Sequence, residues 1–198
     1  MADPPVFYFD LGSPYAYLTA ERLDAAFPDG VSWQPVLLGA IFSLTGRSSW
    51  SLGDPERRRG GMAEIERRAE SYGLPPLCWP DPWPANTLTA MRAATYARRL
   101  GREREFALQA FRDAFARGVD LTLPESVFAA GERAGLRVEE LREAVAEPQI
   151  KGELREASDA AHERGVIGVP TVAVSGELFW GDDRLQGALE CLRSGAGG

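Results

Sequence analysis

A chain of 198 residues, 44% hydrophobic and 26% charged, has the composition of a globular protein that buries a sizeable core, as one domain or one domain with a large insertion. Its 22 basic against 29 acidic side chains leave a net charge of −7, which speaks against nucleic acid as a partner. Two distant cysteines, a single histidine and no long apolar run exclude a Cys-x-x-Cys redox pair, a His-rich metal site and a membrane-spanning helix.

Residues 6–10 form an apolar, aromatic-rich run expected as the first strand. A helix should follow, with Ala16, Ala20, Leu23 and Phe27 on one stripe. Residues 31–38 read as a second strand, and Pro35, lacking an amide donor, places it at a sheet edge or a bulge. From about residue 54 to 165 the pattern is helical. Met62, Ile65, Ala69 and Tyr72 mark one face, stopped by Gly73, and a loop over residues 74–85 follows. Further stripes are Leu88, Met91 and Ala94; Leu108, Phe111 and Phe115; Val127, Ala130 and Ala134; Val138, Leu141 and Val145; and Ile150, Leu154, Ala157 and Ala161. Strands return at residues 171–175 and 178–180, joined by hairpin chemistry at Gly176-Glu177. A last helix carries Leu185, Leu189 and Leu192, and the Gly-rich tail over residues 194–198 should fray.

Several short segments could carry chemistry. Ser13-Pro14 opens the first helix as N-cap and first-turn residue, and a hydroxyl there can also hydrogen-bond an incoming anion, a thiolate included. Gly168-Val169-Pro170-Thr171 stands at a strand entrance. With Pro170 in cis it would expose the Val169 backbone for pairing with an extended ligand; the sequence leaves the isomer open. Asp182 and Asp183 suit a helix start, or a ligand ammonium. The Trp79-Pro80-Asp81-Pro82-Trp83-Pro84 segment is a rigid cover over the core or an apolar wall for an aromatic substrate. Glu56-Arg57-Arg58-Arg59 reads as a solvated helix start, Cys78 and Cys191 as buried small apolar residues rather than reactive thiols, and His162 as a favourable cation near a helix end. With no signal-peptide pattern at the N-terminus, a cytoplasmic location is expected.

Taken together, Phe7-Tyr8-Phe9-Asp10-Leu11-Gly12-Ser13-Pro14-Tyr15-Ala16-Tyr17, Gly168-Val169-Pro170-Thr171 and Phe179-Trp180-Gly181-Asp182-Asp183-Arg184-Leu185 resemble the 2-hydroxychromene-2-carboxylate isomerase family. That family is related to kappa-class glutathione transferases and to DsbA-type oxidoreductases. The resemblance implies an α/β thioredoxin-like fold, residues 1–45 with 166–198, interrupted by an all-helical insertion over residues 46–165. In it Ser13-Pro14-Tyr15-Ala16 takes the place of a DsbA-type Cys-x-x-Cys. It further implies glutathione, or another low-molecular-weight thiol, as cofactor, with Ser13 hydrogen-bonding its sulfur and favouring the thiolate. Val169 beside Pro170 would pair with the tripeptide backbone, and Asp182 and Asp183 would receive its γ-glutamyl end, with Arg47 in the same ligand-contacting region. Tyr15, Trp83 and Asn86 would line the slot for a small aromatic substrate. The implied reaction is a cis–trans isomerisation through reversible thiolate addition. Family members usually carry Asn or Gln where this chain has Asp182, and often Asn where it has Arg47.

Two further readings share these residues. One is a kappa-like glutathione transferase, the other a non-catalytic thioredoxin-like module that binds an extended peptide at Val169-Pro170. Neither a membrane nor nucleic acid is expected as a partner, no metal is expected, and formation of a homodimer is left open.

Overall fold

The computed structural model describes residues 4–195. The remaining tail residues 196–198, and the first three residues, lie outside the described part; Ser194 and Gly195 close the last helix.

The chain runs β1 (Val6–Phe9), α1 (Pro14–Ala20), α2 (Leu23–Ala26), β2 (Ser32–Pro35) and α3 (Leu38–Thr45), then a short 3-10 turn at Trp50–Leu52. Six helices follow: α4 (Pro55–Ser71), α5 (Leu88–Arg99), α6 (Glu103–Arg117), α7 (Pro124–Arg133), α8 (Val138–Ala144) and α9 (Pro148–Glu163). The chain closes with β3 (Thr171–Val174), β4 (Glu177–Trp180), a 3-10 turn at Asp182–Arg184 and α10 (Leu185–Gly195).

The four strands make one mixed sheet in the order β2-β1-β3-β4. β1 and β2 are parallel, with Phe7 opposite Trp33, while β1–β3 and β3–β4 are antiparallel. β1 is apolar throughout because both its faces are covered. Phe7 and Phe9 point to one side, where they meet Trp33 edge-on and Phe9 reaches Phe111 of α6. Tyr8 points to the other, into a smaller cluster with Val36, Ile41, Ala161 and Val169.

Two expected elements change. Residues 16–27 form two helices rather than one, with Glu21 as the C-cap of α1 and Arg22 as the N-cap of α2 between them. Strand β2 stops at Pro35, on the sheet edge as expected, and Leu38 begins α3 instead of extending the strand. The β3–β4 turn also sits one residue earlier than Gly176-Glu177. Ser175 (φ 50°) and Gly176 (φ 85°) take the two left-handed positions that a tight hairpin demands.

Candidate active site

β1 ends at Phe9, and a turn of four residues delivers Ser13 to the start of α1. The Ser13 N–H donates to the Asp10 carbonyl at 3.0 Å, and its Oγ accepts the Ala16 N–H at 3.2 Å as a helix cap. A serine hydroxyl both accepts and donates. Its proton goes to no partner among the described residues.

Ser13 forms part of the wall of a cavity of about 330 Å³. Three stretches far apart in sequence meet there: Ser13 to Tyr15 from the first helix, Ser49 to Ser51 from the turn before α4, and Gly168 to Pro170 with Trp180 to Asp183 from the C-terminal hairpin. The Val169–Pro170 peptide is cis, which decides the isomer. Neither the N–H nor the C=O of Val169 meets another backbone group among the described residues, whereas the Pro170 carbonyl accepts the Gly181 N–H at 2.9 Å. Gly168 is needed for close approach: a Cβ there would come within 2.6 Å of the Trp180 indole nitrogen.

One side of the cavity is aromatic. Tyr15 lies 6.3 Å from Trp50, Trp50 lies 5.7 Å from Trp83, and Trp83 lies 4.6 Å from Trp79 behind it. The Trp83 indole N–H donates to the Gly12 carbonyl at 3.3 Å, which fixes that ring against the Ser13 turn. Burial pushes the Tyr15 phenol above its ordinary pKa of 10.0, so at neutral pH it stays a neutral donor. The Trp-Pro segment is thus a wall of the cavity through Trp83.

The two acids behave differently. Asp182 is buried, its carboxylate accepting from Arg68 at 2.8 Å and from the Tyr72 hydroxyl at 2.9 Å. Arg22, stacked on the Tyr72 ring at 3.6 Å, donates to the Asp182 backbone carbonyl. Asp183 is exposed at the cavity, free of any ion pair among the described residues. Beside this cavity, and sharing Gly12, Leu38, Phe42, Ser49 and Ser51 with it, lies a second of about 520 Å³, lined also by Asp10, Asn86 and Thr87.

The DsbA-like thioredoxin domain family matches residues 6–193 of the chain. A 2-hydroxychromene-2-carboxylate isomerase of Sphingobium xenophagum is 31% identical over 184 residues, covering 91% of this chain and 93% of that protein. The chain belongs to the 2-hydroxychromene-2-carboxylate isomerase family of DsbA-like thioredoxin domains. The structure of a 2-hydroxychromene-2-carboxylate isomerase superposes with a TM-score of 0.82 at 25% identity, over 98% of this chain and 94% of that one. Human glutathione S-transferase kappa 1 is 39% identical over 79 residues, 36% of this chain and 35% of that protein.

Of the residues singled out in the sequence, Ser13, Tyr15, Trp83, Val169, Pro170, Asp182 and Asp183 line the first cavity. Asn86 lines the second, its side chain accepting the Leu88 N–H at 3.0 Å. Arg47 is exposed, with its guanidinium 5.5 Å from the centre of the Trp180 ring, and lines neither cavity. Cys78, Cys191 and His162 line neither cavity; Cys78 is exposed and Cys191 only half-buried, rather than the buried apolar residues expected of both. Sequence reading passed over Arg68, the one cationic side chain among the described residues of either wall. Its spacing from Glu64 marks an ordinary helix-surface pair, and only the fold brings Asp182 to it.

Proposed function

We propose that this chain is a thiol-dependent cis–trans isomerase that uses glutathione, or another low-molecular-weight thiol, on a small aromatic compound of the 2-hydroxychromene-2-carboxylate type. The observation that carries this reading is the Ser13 hydroxyl, with its proton uncommitted, lining one cavity with the unpaired Val169 backbone.

A tripeptide thiol fits these residues. The cavity, at about 330 Å³, is of the size that holds a small organic ligand. Val169 offers one N–H and one C=O for pairing with an extended peptide, and the exposed Asp183 carboxylate suits an ammonium group. When bound, the thiol supplies a sulfur nucleophile whose reversible addition to a conjugated double bond permits rotation about that bond. Ser13 hydrogen-bonds the sulfur and favours its anionic form, which an ordinary thiol with a pKa of about 8.5 populates only slightly at neutral pH. Tyr15, Trp50 and Trp83 hold the flat substrate and keep water from it. A cytoplasmic setting, where thiols are kept reduced, suits this chemistry.

Calorimetry with glutathione tests it. Binding at millimolar concentration or tighter is expected, weakened by Ser13→Ala, together with thiol-dependent turnover of a 2-hydroxychromene-2-carboxylate. No binding at millimolar glutathione, together with no turnover supported by any other low-molecular-weight thiol, would overturn it. The kappa transferase match favours one second reading, in which the same site retains the thioether as product. Product analysis by mass separates the two.

A further inference from the structure

Asp10 is buried at the end of β1, and no cation accompanies it among the described residues. Both oxygens of its carboxylate are nevertheless engaged. Oδ1 accepts the Gly12 N–H at 2.9 Å and the Thr87 hydroxyl at 3.0 Å, and Oδ2 accepts the Leu38 N–H at 2.9 Å. These donors sit on three separate segments: the turn that carries Ser13, the first residue of α3, and the N-cap of α5. Gly12 and Leu38 line both cavities, and Thr87 lines the second. Thr87 is telling, because an N-cap threonine ordinarily gives its oxygen to its own helix. Here the side chain makes no cap bond and turns to Asp10 instead.

We propose that Asp10 is a positioning residue that locks the Ser13 turn, the start of α3 and the Asn86–Thr87 corner into one arrangement, and so keeps the two cavities aligned as a single site. The inference rests on the thiol-dependent reading above. A carboxylate only accepts hydrogen bonds, so one such group can hold two backbone N–H groups and a hydroxyl together. Protonation removes the negative charge that strengthens all three hydrogen bonds and leaves one oxygen a weaker acceptor, so the three ties loosen together. Burial pushes the Asp10 carboxyl above its ordinary pKa, against the hydrogen bonds from Gly12, Leu38 and Thr87 that pull it down. The groups facing it, Gly12 and Ser13 of its own turn, Leu38 on α3 and Thr87 on α5, carry no charge, so the titration is its own. The arrangement is therefore tight above that raised pKa and loosens as pH falls through it.

The experiment is an amide NMR pH titration of the unliganded protein, paired with calorimetry of glutathione binding, for wild type, Asp10→Asn and Thr87→Val. The Gly12, Ser13 and Leu38 amides should move together with one midpoint above the ordinary 3.8. Thr87→Val, which keeps the carboxylate and removes one donor, should raise that midpoint further. Asp10→Asn should abolish the shared titration and weaken glutathione binding at least tenfold while near-UV circular dichroism reports a folded protein. Should Asp10→Asn not fold, Thr87→Val carries the comparison through its raised midpoint and weaker binding. Gly12 and Leu38 titrating separately, a midpoint at or below 3.8, or a folded Asp10→Asn that binds glutathione like wild type would each overturn the proposal. Failure of wild type to bind glutathione, or to turn over with any other low-molecular-weight thiol, would remove the thiol-dependent reading instead, and the three-amide titration would still decide whether Asp10 ties these segments.

Discussion

The Arg68 guanidinium donates to the Asp182 carboxylate at 2.8 Å, joining α4 to the turn that precedes α10. Asp182 is nearly inaccessible and Arg68 is 31% exposed, so the acid depends on the cation more than the cation on the acid. Removing a partner from a fully buried pair costs about 3–5 kcal/mol. Tyr72 still donates to Asp182, and Arg68 is partly solvated, so Arg68→Gln should cost about 2 kcal/mol. The double variant Arg68→Gln/Asp182→Asn should recover most of that loss, because no uncompensated charge is left. Urea unfolding of the three proteins measures both, and a double variant no more stable than Arg68→Gln would refute the dependence.

Adjacent glycines in α4 should respond oppositely to alanine. A Cβ at Gly60 meets nothing within 4 Å, so Gly60→Ala gains helix propensity and raises stability by about 0.5–1 kcal/mol. A Cβ at Gly61 would overlap the Trp50 indole, which lines the cavity. Overpacking of this kind costs about 1–3 kcal/mol and outweighs the propensity gain. Gly61→Ala should therefore lower stability and shift tryptophan fluorescence, while Gly60→Ala leaves the emission unchanged.

Ser13 combines capping with the proposed function, and substitutions separate them. Ser13→Ala should cost about 1 kcal/mol of stability and Ser13→Gly only a few tenths, since glycine is tolerated at an N-cap. Both lose the hydroxyl donor, worth about 1.5–3 kcal/mol toward a charged acceptor, so thiol-dependent turnover should fall about tenfold to a hundredfold in both. Turnover that followed stability, with glycine near wild type, would show that the hydroxyl serves the helix alone.

Stability should also fall in alkali because of Tyr17. Burial against Phe111 and Phe115 pushes its phenol from 10.0 up to about 12. The folded chain thus holds this proton more tightly than the unfolded chain, so the unfolding free energy declines as pH rises between those two values. Tyr17→Phe should flatten that decline, as read from denaturant midpoints at pH 9 and above pH 11.

A continuous apolar run located β1, apolar alternation located β2, and turn residues located the C-terminal hairpin, because each pattern comes directly from strand or turn geometry. The start of α3 was not legible, since Val36-Leu37-Leu38 is apolar in either conformation and Pro35 carries no signal for the helix beyond it. The break at Glu21 and Arg22 escaped for a related reason: the apolar stripe continues through it, while Arg22 turns to Asp182, a partner 160 residues away. Short motifs named Ser13, Val169 and Asp183 because each sits at the end of an element. Trp50, Arg68 and Asp10 enter the site only through contacts distant in sequence, which no local spacing encodes.

The sheet order has a consequence for how the protein is made. β1 is built first, yet one of its two neighbours, β3, is nearly the last segment to be synthesised, so Phe7 waits for Val172 through the whole helical stretch. A nascent chain that ends before β3 can offer only the β1–β2 pair, with Ser13 lacking the C-terminal part of its cavity wall. Pairing across so large a loop is slow to nucleate. The cavity closes when the final hairpin docks, and a ribosome that stalls before residue 169 releases a chain that carries Ser13 without Val169, Pro170 or Asp183.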